Sequence, residues 1–77
     1  MTNSRFKKLD VRPLLERGEE PFTTIQSALV GLAPGQGLSV IAPFLPSPLV
    51  ERLKAAGYNA RVERRADGGW QVDFWRD

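Results

Sequence analysis

The spacing of apolar residues along the chain predicts four β-strands and two α-helices. Leu38, Val40 and Ala42 occupy alternate positions, which is the period of a strand. Between Phe22 and Leu32 apolar residues recur every three or four positions instead, which places them on one side of a helix. In chain order, the predicted elements are a strand over 5–11, a helix over 21–32, a strand over 38–42, a helix over 48–56, and strands over 58–65 and 70–76.

Prolines mark where several of these elements begin or end. Pro13 disfavours a helical conformation at the residue before it, so residues 14–20 are predicted to form a charged connecting loop. Pro21 and Pro48 each suit the first position of a helix, where an N–H group would have no partner. Ser47 is the predicted N-cap of the second helix. Both helices are therefore expected to begin at these prolines.

The order of the elements, βαβαββ, predicts a two-layer α/β sandwich. Right-handed crossovers place the first two strands side by side in parallel, with both helices on one face of the sheet. Residues 67–69, Asp-Gly-Gly, suit a hairpin turn between the last two strands. The 77 residues are enough for a single domain over 1–77, and residues 1–4 are expected to be disordered.

The absence of cysteine and histidine excludes several kinds of chemistry. Disulfides, thiol nucleophiles, persulfide carriage, zinc fingers and imidazole-based triads all require one of these residues. The net charge of +2 is too small to indicate nucleic-acid binding by itself. Without a signal peptide or a long apolar run, we expect a soluble cytoplasmic protein with no membrane contact. A core this small also argues against a deep catalytic cavity, so we expect neither enzymatic activity nor a cofactor.

Two short motifs resemble those of the TusA-like (SirA-like) superfamily of sulfur carriers, in which a Leu-Asp pair opens the domain and Cys-Pro-x-Pro begins the first helix. Leu9 and Asp10 match the pair, and residues 20–23, Glu-Pro-Phe-Thr, stand in place of Cys-Pro-x-Pro. Glu20 therefore replaces the sulfur-carrying cysteine, so the resemblance implies the fold without sulfur transfer. It also implies the sheet order 1-2-4-3, with the fourth strand antiparallel to the others.

Longer stretches resemble the cysteine-less branch known as domain-of-unknown-function family 2249. The similar segments are residues 9–14, 18–22, 41–44 and 48–49, and the resemblance spans the chain from Leu9 to about Phe74. That branch has no established biochemical activity. The resemblance therefore implies a fold without naming a reaction.

The carboxyl ends of the first two strands form the leading candidate site, because open α/β sheets bind ligands beyond this edge. The candidate ligand- or partner-binding residues here are Arg12, Arg17, Glu20, Pro21, Phe44 and Leu45. Phe44 and Leu45 lie between two prolines, which favours a stiff loop that presents apolar side chains to a partner. Alternatively, this loop is a lid folded onto the helix ends.

Glu20 has two interpretations. As a cap, its carboxylate accepts hydrogen bonds at the start of the first helix and complements the helix dipole. As a recognition group, it binds a ligand while Arg12 holds it in place. Asp10, Glu16 and Glu19 are also near, but they lack the spacing of a cation site, so no metal site is predicted.

The open sheet face is the alternative site, with Phe6, Lys8, Arg61 and Trp75 as its residues. Aromatic rings among cations can bind single-stranded nucleic acid through stacking and phosphate contacts. However, Glu63 and Asp73 on this face oppose phosphate, and packing of Trp75 against Phe6 explains the rings without a ligand. The leading hypothesis is a small non-catalytic module that binds an unidentified protein or small ligand at the strand-end edge. The alternative is a nucleic-acid-binding module that uses the sheet face.

Overall fold

The computed structural model describes residues 5–76 of the chain. Its elements are β1 (Phe6–Asp10), α1 (Arg12–Glu16), α2 (Phe22–Val30), β2 (Gly37–Ala42), α3 (Ser47–Ala55), β3 (Asn59–Arg64) and β4 (Trp70–Trp75). The disorder predicted for residues 1–4 lies outside the described residues. Over residues 5–76, no helix has the length and apolar character needed to cross a membrane.

The strands form one mixed sheet in the order β1-β2-β4-β3. β1 runs parallel to β2, with Leu9 opposite Val40. β4 runs antiparallel to both of its neighbours, and its Val72 lies opposite Val40 on one side and Val62 on the other. The predicted fold class and the predicted sheet order are therefore confirmed.

The hydrophobic core lies between the sheet and the two longer helices. Its centre is the inward face of the middle strands, where the largest fully buried side chains are Phe74, Leu38, Val40 and Val72. Ile25 of α2 and Leu53 of α3 are buried against them. Because the helices cover one face only, the other face carries the polar side chains of the same strands, among them Ser39 and Asp73.

The loop predicted after Pro13 is wrong, because the short helix α1 forms there. Pro13 lies in the first turn of α1, where its missing N–H loses no hydrogen bond. Gly18 follows the helix with a φ of 75°, a conformation that favours glycine. Its N–H donates to the carbonyl of Leu15, and the N–H of Glu19 donates to that of Leu14. These two bonds form a Schellman motif, which ends α1.

The starts of α2 and α3 differ from the prediction by one position. α2 begins at Phe22, so Pro21 precedes it as the N-cap. α3 begins at Ser47, and Pro46 is its N-cap. The prediction that Ser47 caps α3 is wrong, because the carbonyl of Pro46 accepts the N–H of Val50 and so makes the first hydrogen bond of the helix. Both N-caps are thus prolines, and neither has a side chain that can accept a hydrogen bond.

Candidate binding site

A cleft lined by apolar side chains lies at the carboxyl ends of β1 and β2, with a cavity volume of about 80 Å³. We call it the apolar cleft, and its lining residues are Val11, Leu15, Pro21, Phe22, Ile25, Val40, Ala42, Phe44, Pro46 and Leu49. None of these side chains can ionise or exchange a proton. The cleft is therefore suited to holding an apolar group and contains no acid, base or nucleophile of its own.

Several elements converge on the cleft from different directions. Val40 and Ala42 reach it from the inward face of β2, and both are buried. Leu15 reaches it from α1, and Leu49 from the first turns of α3. The apolar cleft thus lies where the hydrophobic core comes to the surface between the ends of the helices.

The loop between β2 and α3 forms the outer wall of the cleft. Phe44 lines the cleft although 55% of its surface remains exposed, and its neighbour Leu45 is 40% exposed. Pro46 is buried and anchors the end of the loop, and the carbonyl of Leu45 accepts the N–H of Ser47 at 2.9 Å. A closed lid would bury Phe44. The loop is therefore an open wall that holds two large apolar side chains in water.

The side chain of Glu20 caps α2, although the N-cap position itself is occupied by the next residue, Pro21. Its carboxylate accepts the backbone N–H of Phe22 at 2.8 Å and that of Thr23 at 3.2 Å, and the Thr23 hydroxyl donates to it at 3.3 Å. The hydrogen bond from Phe22, with smaller contributions from Thr23 and the charge of Arg52, lowers the pKa of Glu20 below its ordinary value. The geometry therefore supports the helix-cap interpretation of this residue.

A second depression, of about 200 Å³, adjoins the apolar cleft and shares Phe22 and Leu49 with it. Its charged residues are Glu20 and Arg52. The Arg52 guanidinium carbon lies 4.2 Å from the centre of the Phe22 ring, a cation–π distance. This side of the cleft therefore has a charged rim that consists of one carboxylate and one guanidinium.

Arg12 and Arg17 make their contacts with other carboxylates. The guanidinium of Arg12 contacts Asp10 at 2.8 Å and Asp67 at 3.1 Å, and Arg17 contacts Glu19 at 2.8 Å. The expectation that Arg12 holds Glu20 in place is therefore wrong, because two aspartates bind its guanidinium. In the described part of the chain, no cluster of three or more Asp, Glu, His or Cys residues could hold a metal ion.

Charged side chains and Gln71 form one polar network that runs across the open sheet face. Its successive contacts are Asp10–Arg12 at 2.8 Å, Arg12–Asp67 at 3.1 Å, Asp67–Arg65 at 3.2 Å, Arg65–Gln71 at 2.9 Å, Gln71–Asp73 at 3.0 Å and Asp73–Arg61 at 3.1 Å. Asp73 is only 3% exposed and also accepts the Ser39 hydroxyl at 2.6 Å. Each arginine of the network therefore faces at least one carboxylate.

Asp67 connects two arginines within this network. The backbone N–H of Gly69 donates to it at 3.0 Å. That hydrogen bond, together with those from Arg12 and Arg65, lowers the pKa of Asp67 to about 2. The hydrogen bonds from Arg12 likewise lower the pKa of Asp10. Both aspartates are therefore ionised at neutral pH, when they balance the arginine charges.

The aromatic residues of the sheet face pack against each other. The rings of Phe6 and Trp75 lie edge to face, with centroids 6.2 Å apart, which confirms their predicted packing. Gly37 lies beneath the Phe6 ring, and a Cβ atom added there would come within 2.5 Å of it. A glycine at this position thus allows the ring to lie directly on the backbone of β2. Lys8, the remaining candidate of this face, is exposed on β1.

A family model described as "Uncharacterized conserved protein (DUF2249)" matches residues 8–76. The chain belongs to this family. The matched range includes every residue of the apolar cleft and of the polar network, so both surfaces lie within the family domain. Neither the curated proteins nor the solved structures include a match to the chain.

The structure brings Pro21 and Phe44 together in the apolar cleft, with Leu45 beside them in the loop. Sequence reasoning missed Leu15, because the segment before Gly18 was interpreted as a loop. A proline near the start of a short apolar segment and a glycine just after it could have revealed α1. The spacing of apolar residues predicts a core-facing stripe in each helix, and these stripes include Phe22 and Leu49. Their position in the first turns, where those stripes reach the surface, makes them part of the cleft.

Proposed function

We propose that this protein is a non-catalytic interaction module that binds one aliphatic side chain of a partner protein in the apolar cleft. The observation that carries the proposal is an all-apolar cavity beside Phe44, a large side chain that stays more than half exposed. Large apolar groups held in water at a preformed concavity favour association, because docking removes them from water.

The size of the cavity favours a side chain over a complete small molecule. At about 80 Å³, it is smaller than the cavity of roughly 150 Å³ that accommodates benzene in an engineered protein core. A branched aliphatic side chain can enter while its own backbone remains outside. The partner's neighbouring residues would then lie over Phe44 and Leu45, which extend the apolar surface beyond the cavity.

The loop reduces the entropic cost of docking. Prolines at 43 and 46 restrict its backbone, and the buried Pro46 fixes its end. Little conformational freedom then remains to be lost when a partner binds. Aromatic anchors in such preorganised sites tend to supply most of the binding energy. Phe44 is accordingly the proposed centre of the interface, with Glu20 and Arg52 on its rim.

The chemistry of the cleft supports a binding role without catalysis. The ionisable groups of the adjoining depression are Glu20 and Arg52, and Glu20 is engaged in capping α2. We further propose kinship with the TusA-like superfamily, which the sheet order and the position of Glu20 at the start of α2 support. Because the chain has no cysteine, this kinship carries no sulfur transfer.

The sheet face has weaker support as a nucleic-acid site. Phosphate recognition needs cations that can contact phosphates and so displace the counterions condensed around the nucleic acid. Arg61 and Arg65 instead contact Asp73 and Asp67 at 3.1 and 3.2 Å, so phosphate would have to compete with carboxylates already in place. The apolar cleft requires no existing contact to be broken. We therefore favour protein docking at the cleft.

Peptide selection tests the proposal with a defined probe. Short random peptides displayed on phage are selected against the wild-type protein, and the affinity of the enriched peptides is measured by fluorescence anisotropy. We expect the enriched sequences to share an aliphatic residue. The double variant Phe44→Ser/Leu45→Ser should bind them at least about tenfold more weakly, which corresponds to about 1.4 kcal/mol. Its melting midpoint should change little, because Phe44 is 55% exposed, Leu45 is 40% exposed and neither belongs to the buried core.

Two control variants separate docking from folding. Val30→Ser removes a side chain that is 87% exposed on α2 and outside the cleft, so the affinity should not change. Glu20→Ala removes the cap of α2 and should lower the melting midpoint, while the folded protein should bind the peptides less than about tenfold more weakly, because Glu20 lies on the rim of the interface and not at its centre. The affinity should also vary little with salt concentration, whereas phosphate-driven binding falls steeply. Full affinity in the Phe44→Ser/Leu45→Ser variant would refute the proposal.

A further inference from the structure

The outer edge of β3 has unpaired backbone groups. In the described part of the chain, β3 forms one edge of the sheet, next to β4. The N–H of Arg65 donates to the carbonyl of Gly69 at 2.8 Å, and every second residue before Arg65 faces β4 in the same way. Ala60, Val62 and Arg64 therefore direct their N–H and C=O groups away from the sheet.

The two edges of the sheet differ in how they are protected. At the other edge, β1 has two adjacent lysines, Lys7 and Lys8, and lysines on an edge strand discourage pairing with another chain. β3 contains neither a proline nor a lysine, and its central Val62 is 41% exposed. Instead, the charges on one face of β3 alternate in sign, since Arg61 is followed on that face by Glu63.

That alternation makes β3 complementary to itself. When two copies pair antiparallel around a twofold axis at Val62, Arg61 of the first copy lies directly opposite Glu63 of the second. By symmetry, Glu63 of the first copy lies opposite Arg61 of the second. Both side chains are more than half exposed, so each can reach the second copy. Arg61 contacts Asp73 through Nη2 at 3.1 Å, and its other guanidinium nitrogens provide the donors for the intermolecular pair. In the same register, Val62 of one copy lies opposite Val62 of the other. The outward backbone N–H and C=O groups of Ala60 in one copy face those of Arg64 in the other.

The neighbouring registers lack this complementarity. A shift of two residues also keeps the outward backbone groups opposed. In one direction, however, it places Arg61 against Arg61, and in the other it places Glu63 against Glu63. Like charges directly opposite each other destabilise a strand pair. The backbone therefore permits several registers, and the charges favour the one centred on Val62.

We propose that β3 is a self-association edge, through which two copies of this chain form a twofold dimer with a continuous sheet centred on Val62. About six intermolecular backbone hydrogen bonds form in this arrangement. None of the residues that line the apolar cleft belongs to β3. The cleft of each copy therefore stays accessible in the dimer. One strand per copy buries less surface than a standard interface, so dissociation should be observable on dilution.

Sedimentation velocity over a concentration range from about 1 µM to about 1 mM tests the association. We expect the wild-type protein to shift from monomer to dimer. Val62→Pro removes an outward N–H and leaves the hydrogen bonds to β4 intact, so it should weaken the dimer at least about tenfold. Val62→Ala keeps the N–H and should still dimerise. Glu63→Arg, a surface change that leaves the backbone unaltered, places arginines opposite each other and should weaken the dimer by a similar factor.

Cysteine substitution determines the register, because the chain has no cysteine of its own. Under mild oxidation, Val62→Cys should form a disulfide-linked dimer, since directly opposed residues of an antiparallel pair lie within disulfide range. Arg64→Cys, on the same strand and with equally outward backbone groups, faces Ala60 of the other copy and should not form the disulfide cross-link. A wild-type protein that is monomeric throughout, a Glu63→Arg variant that associates like wild type, or faster cross-linking at position 64 would each overturn the proposal.

Discussion

The apolar cleft and the open sheet face both combine aromatic rings with charged residues, but they use them differently. On the sheet face, the arginines contact carboxylates and the Phe6 and Trp75 rings pack against each other. At the cleft, Phe44 extends into water beside an all-apolar cavity. The sequence predicts the strand-end edge as the leading candidate site and the sheet face as its alternative. The two surfaces differ in whether their aromatic and charged side chains already have partners within the fold.

This difference has an energetic consequence. A partner that binds the polar network must compete with ion pairs and hydrogen bonds that the fold already makes, and desolvation of charged groups offsets much of the gain. A partner that covers the apolar cleft removes apolar surface from water and breaks no ion pair. The sheet face is thus better suited to stability and the cleft to recognition. Three substitutions test this division.

The largest effect is expected on the sheet face, from Asp73→Ala. Asp73 is buried and accepts hydrogen bonds from Ser39, Arg61 and Gln71, so its removal leaves the buried Ser39 hydroxyl without this acceptor and takes a partner from Arg61 and Gln71. The free energy of unfolding should fall by on the order of 3 kcal/mol, a large share of the stability of a small domain. Urea unfolding followed by tryptophan fluorescence measures this change.

Glu63→Ala is the matched control for Asp73→Ala. Glu63 lies on the same face and also approaches Arg61, but at 3.9 Å and with a half-exposed side chain. Its removal should change the free energy of unfolding by less than about 0.5 kcal/mol when measured at low protein concentration. Equal effects of the two substitutions would show that the polar network does not depend on its buried aspartate.

The fold could be predicted from the sequence because its signals are local. The alternation in β2 and β4 and the apolar stripe of α2 each identify an element, and the right-handed crossover rule joins the elements into a sheet. The family resemblance then supplied the strand order. The short helix α1 was missed because Pro13 was interpreted as the end of a strand, although Gly18 provides the signal for a helix end.

The contacts of the candidate sites were less predictable, because they join distant parts of the chain. Arg12 and Asp67 are 55 positions apart, and no local pattern indicates that the guanidinium turns toward the β3–β4 hairpin and away from Glu20. The exposed fraction of Phe44 likewise depends on how α1 and α3 approach the loop. Sequence patterns predicted that Pro21 and Phe44 lie together at one edge of the sheet, and the structure places both in the apolar cleft, whereas the partners of individual side chains required the structure.

An intermediate effect is expected in the cleft, from Ala42→Val. Ala42 is buried and lines the cavity, so two additional carbon atoms should fill part of its volume of about 80 Å³. We expect the free energy of unfolding to rise by on the order of 1 kcal/mol, while the selected peptides bind at least about tenfold more weakly. Higher stability with unchanged peptide affinity would show that the aliphatic side chain binds elsewhere.

The smallest effect is a change in pH dependence caused by Asp67→Asn. The pKa of Asp67 is lowered from its ordinary value of 3.8 to about 2 by Gly69, Arg12 and Arg65. A carboxylate with a lowered pKa in the folded state stabilises the fold above its ordinary pKa and loses this contribution as the pH falls through the folded value. Asparagine cannot ionise, so the variant should be less stable than wild type above about pH 4, and the difference should shrink toward pH 2.

Urea unfolding of both proteins at several pH values across this range isolates the contribution of Asp67, because the remaining carboxylates are common to both chains. Glu51→Gln, which removes one negative charge from the exposed side of α3, controls for the change in net charge. A constant difference between wild type and Asp67→Asn from about pH 4 to about pH 2 would contradict the prediction. A shrinking difference would instead show that ionised Asp67 stabilises the fold through the hydrogen bonds that it accepts from Gly69, Arg12 and Arg65.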